Sequence, residues 1–275
     1  MRAAASAEGL TGGSYIVLGG TGLIGSALCA HLRQEGRSVV SVTSANYDVH
    51  RGAAADVIVN CNGNSYRYRA NRDPRWDFTA SVTSVEQSLF DFGFDLYVYI
   101  STVDVYDHRD DPGCNHEAVA IDPTGLDAYG FHKWLAERLV ERFARKSLIL
   151  RVGTAVGPGL KKGPIYDILA GNPLRMSLDS ELTLIDTPTV ARAVTTLAVS
   201  APSREIFNVT GTGPVRLQDL EARVPGRITV APEAEATRYR YHINNERIRS
   251  VLPVPTSREV AEGFLSGAGE HACAS

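Results

Sequence analysis

The run Gly19-Gly20-Thr21-Gly22-Leu23-Ile24-Gly25 constrains this chain more than any other feature. It follows the apolar segment Tyr15-Ile16-Val17-Leu18 and precedes a stretch with Leu28 and Leu32 at helical spacing, so it reads as strand, glycine turn and helix. Gly19, Gly22 and Gly25 let the turn be tight, let a pyrophosphate approach the backbone, and let helix and strand pack closely. A bare glycine triplet is also compatible with a plain tight turn. Placed directly after a strand, it reads as a dinucleotide cradle in which Leu23 and Ile24 present the free amides of a helix N-terminus to an anion.

The remaining pattern is that of an α/β protein built on a doubly wound parallel sheet, the Rossmann arrangement. Val39–Val42, Val57–Val59, Leu96–Ile100 and Ser147–Val152 are too uniformly apolar to alternate, as expected of strands covered on both faces. Helical patterns lie between them: Val82, Val85 and Leu89 in one, and a longer helix near 127–145 with Trp134, Leu135, Leu139 and Phe143 turned inward. Only about a dozen residues separate the second strand from the third, so that crossover is abbreviated. Residues 1–153 are expected to form the dinucleotide-binding domain. Residues 154–275 are expected to be mainly a small α/β substrate lobe, with room for some Rossmann elements. This second part has a strand near 182–185, a helix over 188–199, a strand over 206–210 and short helices near 216–223 and 257–265.

Composition excludes several classes of partner. With 275 residues, a formal net charge of -3 and no basic tract, the chain offers no footprint for nucleic acid. No apolar run is long enough to span a membrane, and the opening MRAAASAEGLTGGS has no apolar signal core. Cys29, Cys61, Cys114 and Cys273 are far apart and lack metal-ligand spacing, so free thiols, no metal site and a cytoplasmic location are expected. Only Lys133, Lys146, Lys161 and Lys162 are lysines. A lysine inside a motif therefore stands out.

Lys133 is such a lysine. Tyr129 and Lys133 are four apart on the long helix and share a face, while Ser101-Thr102 ends the fourth strand, where ligands of parallel sheets sit. A tyrosine whose phenol is tuned by a lysine charge can exchange a proton with a hydroxyl or carbonyl that a Ser or Thr orients. Hydride chemistry needs that partner. At the end of the second strand an acidic residue usually takes the adenine-ribose hydroxyls of NAD, but this chain has Thr43 and Ser44. NAD(P) is therefore the expected cofactor, with NADP(H) preferred and Arg37 or Arg51 as partner for its 2′-phosphate. Asp48 is an alternative ribose ligand.

Taken together, GGTGLIG, DVIVNCNG (56–63), YISTVDVY (99–106), YGFHK (129–133), LRVGTAVGPG (150–159) and FNVTG (207–211) resemble the extended short-chain dehydrogenases/reductases, which include nucleotide-sugar epimerases, dehydratases and ketoreductases. The resemblance covers residues 15 to about 211. It implies Tyr129 as acid/base, Lys133 on the nicotinamide ribose, Thr102 or Ser101 polarising the reacting oxygen, and Asn62 and Gly63 lining the cofactor. By the same resemblance Thr102 is the preferred hydroxyl, and a homodimer forms through the Tyr129 helix and its neighbour near 79–91.

Departures from the pattern narrow the chemistry. Dehydratases of this group carry Thr-Asp-Glu where this chain has Thr102-Val103-Asp104, which disfavours simple dehydration. Members holding a nucleotide diphosphate often have Asn in place of Thr154 and Arg in place of Leu182 or Thr183. Lys161, Lys162 and Arg175 are nearby replacements for that positive charge, or ordinary solvated residues. Asp104, Tyr106 and Thr154 are expected to touch substrate, His132 to touch substrate or to pack, and Trp76 to be a lid contact or a helix-start anchor. The resulting expectation is an NAD(P)-dependent oxidoreductase or epimerase acting at a carbinol or ketone carbon of a sugar-like, nucleotide-linked substrate, with reduction preferred. The competing reading is a non-catalytic NAD(P)-binding regulator on the same fold, which would not need Tyr129 and Lys133.

Overall fold

The computed structural model describes residues 13–64, 66–200 and 203–271. The opening dodecapeptide and Cys273 lie outside the described residues. The strands are β1 (Ser14–Leu18), β2 (Ser38–Val42), β3 (Ala54–Asn60), β4 (Gly93–Thr102), β5 (Ser147–Val152), β6 (Thr154–Val156), β7 (Glu181–Leu182), β8 (Leu184–Asp186), β9 (Arg204–Val209) and β10 (Val215–Arg216). The α-helices are α1 (Leu23–Gln34), α2 (Tyr47–His50), α3 (Arg67–Arg72), α4 (Pro74–Phe78), α5 (Ser84–Asp91), α6 (Ala128–Phe143), α7 (Pro164–Ala170), α8 (Thr187–Ser200), α9 (Glu246–Arg249) and α10 (Ser257–His271).

Six parallel strands form the central sheet in the order β2-β1-β3-β4-β5-β9. Because β2 lies on one side of β1 and β3 on the other, winding reverses between β1 and β3, which opens a crevice at their carboxyl ends. The β2–β3 crossover is indeed short, a single helical turn at α2. On one face Leu28 and Leu32 of α1 meet Val190, Val194 and Leu197 of α8 in the larger core. On the other, Val85 and Leu89 of α5 and Ala136 and Val140 of α6 cover Ile16, Ile58, Tyr97 and Ile149. A separate core joins β7, β8 and β10 to α7 and α10, with Ile165, Ile168, Leu182, Leu184, Val215 and Val260 at its centre.

The Rossmann elements for which residues 154–275 had room are β9 and α8: β9 pairs with β5 from Ser147–Arg204 to Val152–Val209, and α8 packs on α1, so residues 187–209 complete the sheet layer. On α6 the buried residues are Tyr129, Gly130, His132, Lys133, Ala136, Glu137 and Val140, whereas Trp134, Leu135 and Leu139 are half-buried and Phe143 is exposed. The buried side of this helix carries polar groups because it closes the site. The strand expected at 182–185 is two short strands broken at Thr183, which turns its carbonyl to the Thr154 amide.

Candidate functional site

One cleft of about 1810 Å³ runs across the carboxyl ends of β1–β5 and down between sheet and second lobe. Gly19, Gly22, Leu23, Ile24 and Gly25 form one end of it. The fit to a pyrophosphate is physical. Gly19 adopts φ +74°, and a Cβ on Gly25 would lie 2.2 Å from the Gly19 carbonyl oxygen, so a side chain there would force turn and helix apart. The N-cap of α1 is Gly22, with no side-chain cap and no acidic residue in the first turn, which leaves its leading amides for an anion.

Thr43, Ser44 and Asp48 line the same end. The Thr43 amide donates to Asn46 Oδ1 at 2.6 Å, which fixes the turn that ends β2. Arg37 and Arg51 do not line the cleft: Arg37 lies beside Glu35 at 3.8 Å, and Arg51 pairs with Asp48 at 3.1 Å and Asp91 at 3.5 Å. The Arg51 guanidinium thus stands directly behind the Asp48 wall of the cleft. Asn62 and Gly63 line the middle, where the Asn62 amide donates to Asn60 Oδ1 at 2.8 Å. Gly63 holds φ +118°, with Lys133 Nζ 3.4 Å from where its Cβ would be, so this glycine leaves space for the lysine.

Thr102, Tyr129 and Lys133 meet at the cleft centre. Asp127 caps α6 by accepting from the Gly130 amide at 2.9 Å, and a Cβ on Gly130 would lie 2.4 Å from the Asp104 carbonyl, so the helix is seated against the 103–105 turn. Burial pushes the Tyr129 phenol up, as do Asp104 and Asp77, while the Thr102 hydrogen bond and Arg67 pull it down. The phenol is a held proton. Burial pulls the Lys133 ammonium down to about 8 against Asp77, Glu137 and Cys61, and its Nζ donates to the Ile100 carbonyl at 3.4 Å. The ammonium thus stands against the Gly63 wall of the cleft.

Several expected contacts fall elsewhere. Ser101 borders the cleft, but its hydroxyl donates to Glu137 Oε1 at 2.6 Å, inside an ion pair between Glu137 and Arg151 that is closed to solvent. Tyr106 is fully buried away from the cleft; its hydroxyl accepts from Arg151 at 2.8 Å and donates to Asn208 at 3.0 Å. Both belong to one buried network around Arg151 and Glu137. His132 packs, with Nδ1 2.7 Å from Asp77 Oδ2. Trp76 lies in the first turn of α4, its amide donating to the N-cap Asp73 Oδ1 at 3.1 Å. Asp104 and Thr154 do line the cleft.

The substrate end also holds residues that sequence reading overlooked. Tyr66 and Arg67 come from the loop and helix after Gly63, and Tyr239 and Tyr241 from the second lobe. Lys161, Lys162 and Arg175 line this end as well. Lys162 Nζ lies 3.3 Å from the Tyr66 ring centre, and burial draws its ammonium down to about 8. The dense alternation Tyr66-Arg67-Tyr68-Arg69 was the available signal.

The sequence model of the NAD dependent epimerase/dehydratase family matches residues 15–209. A search of curated proteins finds no match. Among solved structures, the chain is similar to MoeE5 in complex with UDP-glucose and NAD (TM-score 0.80, 19% identity, covering 94% of this chain and 100% of that one). It is also similar to a dTDP-4-dehydrorhamnose reductase from Clostridium acetobutylicum (0.75, 16%, 93% and 99%) and to a UDP-galactose 4-epimerase (0.73, 19%, 94% and 99%). At these identities the likeness is one of fold.

Proposed function

The chain belongs to the NAD dependent epimerase/dehydratase family, and on that premise we propose that it reduces a ketone carbon of a nucleotide-linked sugar, with Tyr129 as proton donor. The observation that carries this reading is the meeting of Thr102, Tyr129 and Lys133 in one cleft with the glycine turn, where burial favours the protonated phenol. A carbonyl oxygen receiving a hydride needs a proton on that side, and a phenol held in its acid form meets the need. When bound, the nicotinamide supplies the hydride. Thr102 orients the reacting oxygen, and Lys133 holds the nicotinamide ribose next to Gly63.

The cleft has room for two molecules, since a single ligand site spans roughly 300–1,000 Å³. Lys161, Lys162 and Arg175 at its far end supply positive charge for a diphosphate. The adenosine end presents Thr43, Ser44 and Asp48, with the Arg51 guanidinium 3.1 Å from Asp48, so NADPH stays the expected cofactor and NADH its competitor. The solved structures similar to this chain that bind or act on UDP- and dTDP-linked sugars support the substrate class. A homodimer is part of this reading. Exposed Phe90 on α5 and Phe143 on α6 pack edge to face with ring centres 5.1 Å apart, an apolar pair on the helices that cover one side of the sheet.

The test is oxidation of NADH or NADPH in the presence of dTDP-4-dehydrorhamnose, with UDP-glucose and UDP-galactose as probes of oxidation and epimerisation. Tyr129→Phe should lower turnover by about 10²–10⁴-fold while NADH binding stays within a factor of about three. Undiminished turnover in that variant overturns the assignment. Stoichiometric NAD released from the denatured protein, with epimerisation of UDP-galactose, favours an epimerase instead.

A further inference from the structure

Arg67, the first residue of α3, joins three parts of the molecule. Its Nε donates to Asp127 Oδ2 at 2.5 Å, its Nη1 donates to the Tyr241 hydroxyl at 3.0 Å, and the same nitrogen is 3.5 Å from Asp104 Oδ1. Tyr241, from the second lobe, donates to Asp104 Oδ1 at 2.7 Å, where Arg109 also donates at 3.1 Å. The other oxygen of Asp104 accepts from the Thr102 hydroxyl at 3.2 Å, and the other oxygen of Asp127 caps the helix that carries Tyr129. The Arg67 guanidinium thus reaches both carboxylates, Asp127 by a hydrogen bond and Asp104 by an ion pair that Arg109 and a phenol of the second lobe share.

We infer that Arg67 is a positioning residue for hydride transfer, which fixes Thr102 through Asp104 and Tyr129 through the Asp127 cap, and that Tyr241 makes this arrangement depend on the docked 239–241 segment. The inference rests on the reduction proposed above for its kinetic consequence but not for its structural one. The charges agree with it. Burial works against the Arg67 guanidinium, yet Asp104, Tyr241 and Asp127 together raise its pKa. Asp127 is held below the usual carboxylate range: burial opposes the charge, but the Gly130 amide and Arg67 outweigh it. A planar fork can serve two carboxylates and a phenol at once, whereas an ammonium on a flexible stem cannot hold all three in place.

The experiment compares Arg67→Ala, Arg67→Lys and Tyr241→Phe in the full chain by three readouts: NADH affinity, kcat against KM for dTDP-4-dehydrorhamnose, and backbone amide exchange. Arg67→Ala should lower kcat about 10²-fold, the cost of a small misplacement of reacting groups, with NADH affinity within about threefold. Exchange at 102–106 and 127–131 should speed up about tenfold together. Arg67→Lys should recover part of kcat and little of the exchange protection. Tyr241→Phe, which removes one oxygen, should loosen 102–106 more than 127–131, and it carries the test if Arg67→Ala does not fold. Unchanged exchange at both segments overturns the inference, as does a loss of NADH affinity in step with kcat. If the wild-type chain turns over none of the sugars, the proposed reduction fails, and the exchange data still decide the role of Arg67.

Discussion

Two side chains at the cleft centre, Tyr129 and Lys133, have their ionisation shifted chiefly by burial. For Lys133 the consequence can be stated as a pH dependence. Its folded-state pKa of about 8 is below that of a free lysine, so the unfolded chain binds the extra proton across the interval between them. On this group's account, stability therefore rises with pH from about 8 upward, and below about 8 the buried ammonium is a cost. Lys133→Met should stabilise the protein at pH 7 by about 2 kcal/mol, with the gain fading toward pH 10, as chemical denaturation at the two pH values would report. The same variant should bind NADH more weakly at pH 7. Equal or lower stability at pH 7 would mean that the ammonium is not paying for burial. Tyr129 and Lys133 were legible because a four-residue spacing on a helix fixes a shared face. The partner of Ser101 was not legible for the opposite reason: Glu137, which accepts its hydrogen bond, is far along the chain and nothing local announces it. Arg67 escaped notice because its three partners come from three separate segments.

The element that organises the site is α6. Its buried side carries Tyr129 and Lys133 toward the cleft in its first half and Glu137 toward β5 in its second. Glu137 receives Arg151 Nε at 3.1 Å, Arg151 Nη2 at 2.7 Å and the Ser101 hydroxyl, and all three residues are closed to solvent. Removing the acid alone, in Glu137→Ala, strands a buried guanidinium and should cost about 3–5 kcal/mol, visible as a large drop in melting temperature. Glu137→Leu combined with Arg151→Met should recover most of that loss, because the pair's attraction barely exceeds what it costs to desolvate. A double variant as unstable as the single one would show instead that the ion pair is a net stabiliser. The inward stripe expected from Trp134, Leu135, Leu139 and Phe143 followed apolar periodicity, which fails on a helix whose buried side is functional. The glycine turn and α1 were readable because every one of their constraints is local.

At the scale of the whole molecule, the two layers are interleaved along the chain. The sheet is completed by β9, and its larger core by α8, both of which follow the first strands of the second lobe. A fragment ending at residue 153 would leave Leu28 and Leu32 without their α8 partners and β5 as an open edge. That fragment should be insoluble or lack a cooperative transition, whereas a fragment ending near 211 should retain part of the fold. Which segments after residue 153 return to the sheet is not legible locally, because a strand that returns to a sheet looks the same as one that starts a new domain. The second sheet face raises the matter of assembly. Val85, Leu89, Ala136 and Val140 point into the core, which leaves Phe90 and Phe143, 62% and 48% exposed, as an apolar pair on the outer surface of α5 and α6. Rings of that size at such exposure are what a helix-to-helix contact between two copies would cover. A symmetric contact places both copies of the pair in one interface, so a charge introduced there is repeated across the axis. Phe90→Glu with Phe143→Glu should convert a dimer to monomer in sedimentation velocity while NADH binding persists, since neither residue lines the cleft. A wild-type chain that sediments as a monomer at high micromolar concentration would refute the dimer, and a double variant that stays dimeric would move the interface elsewhere.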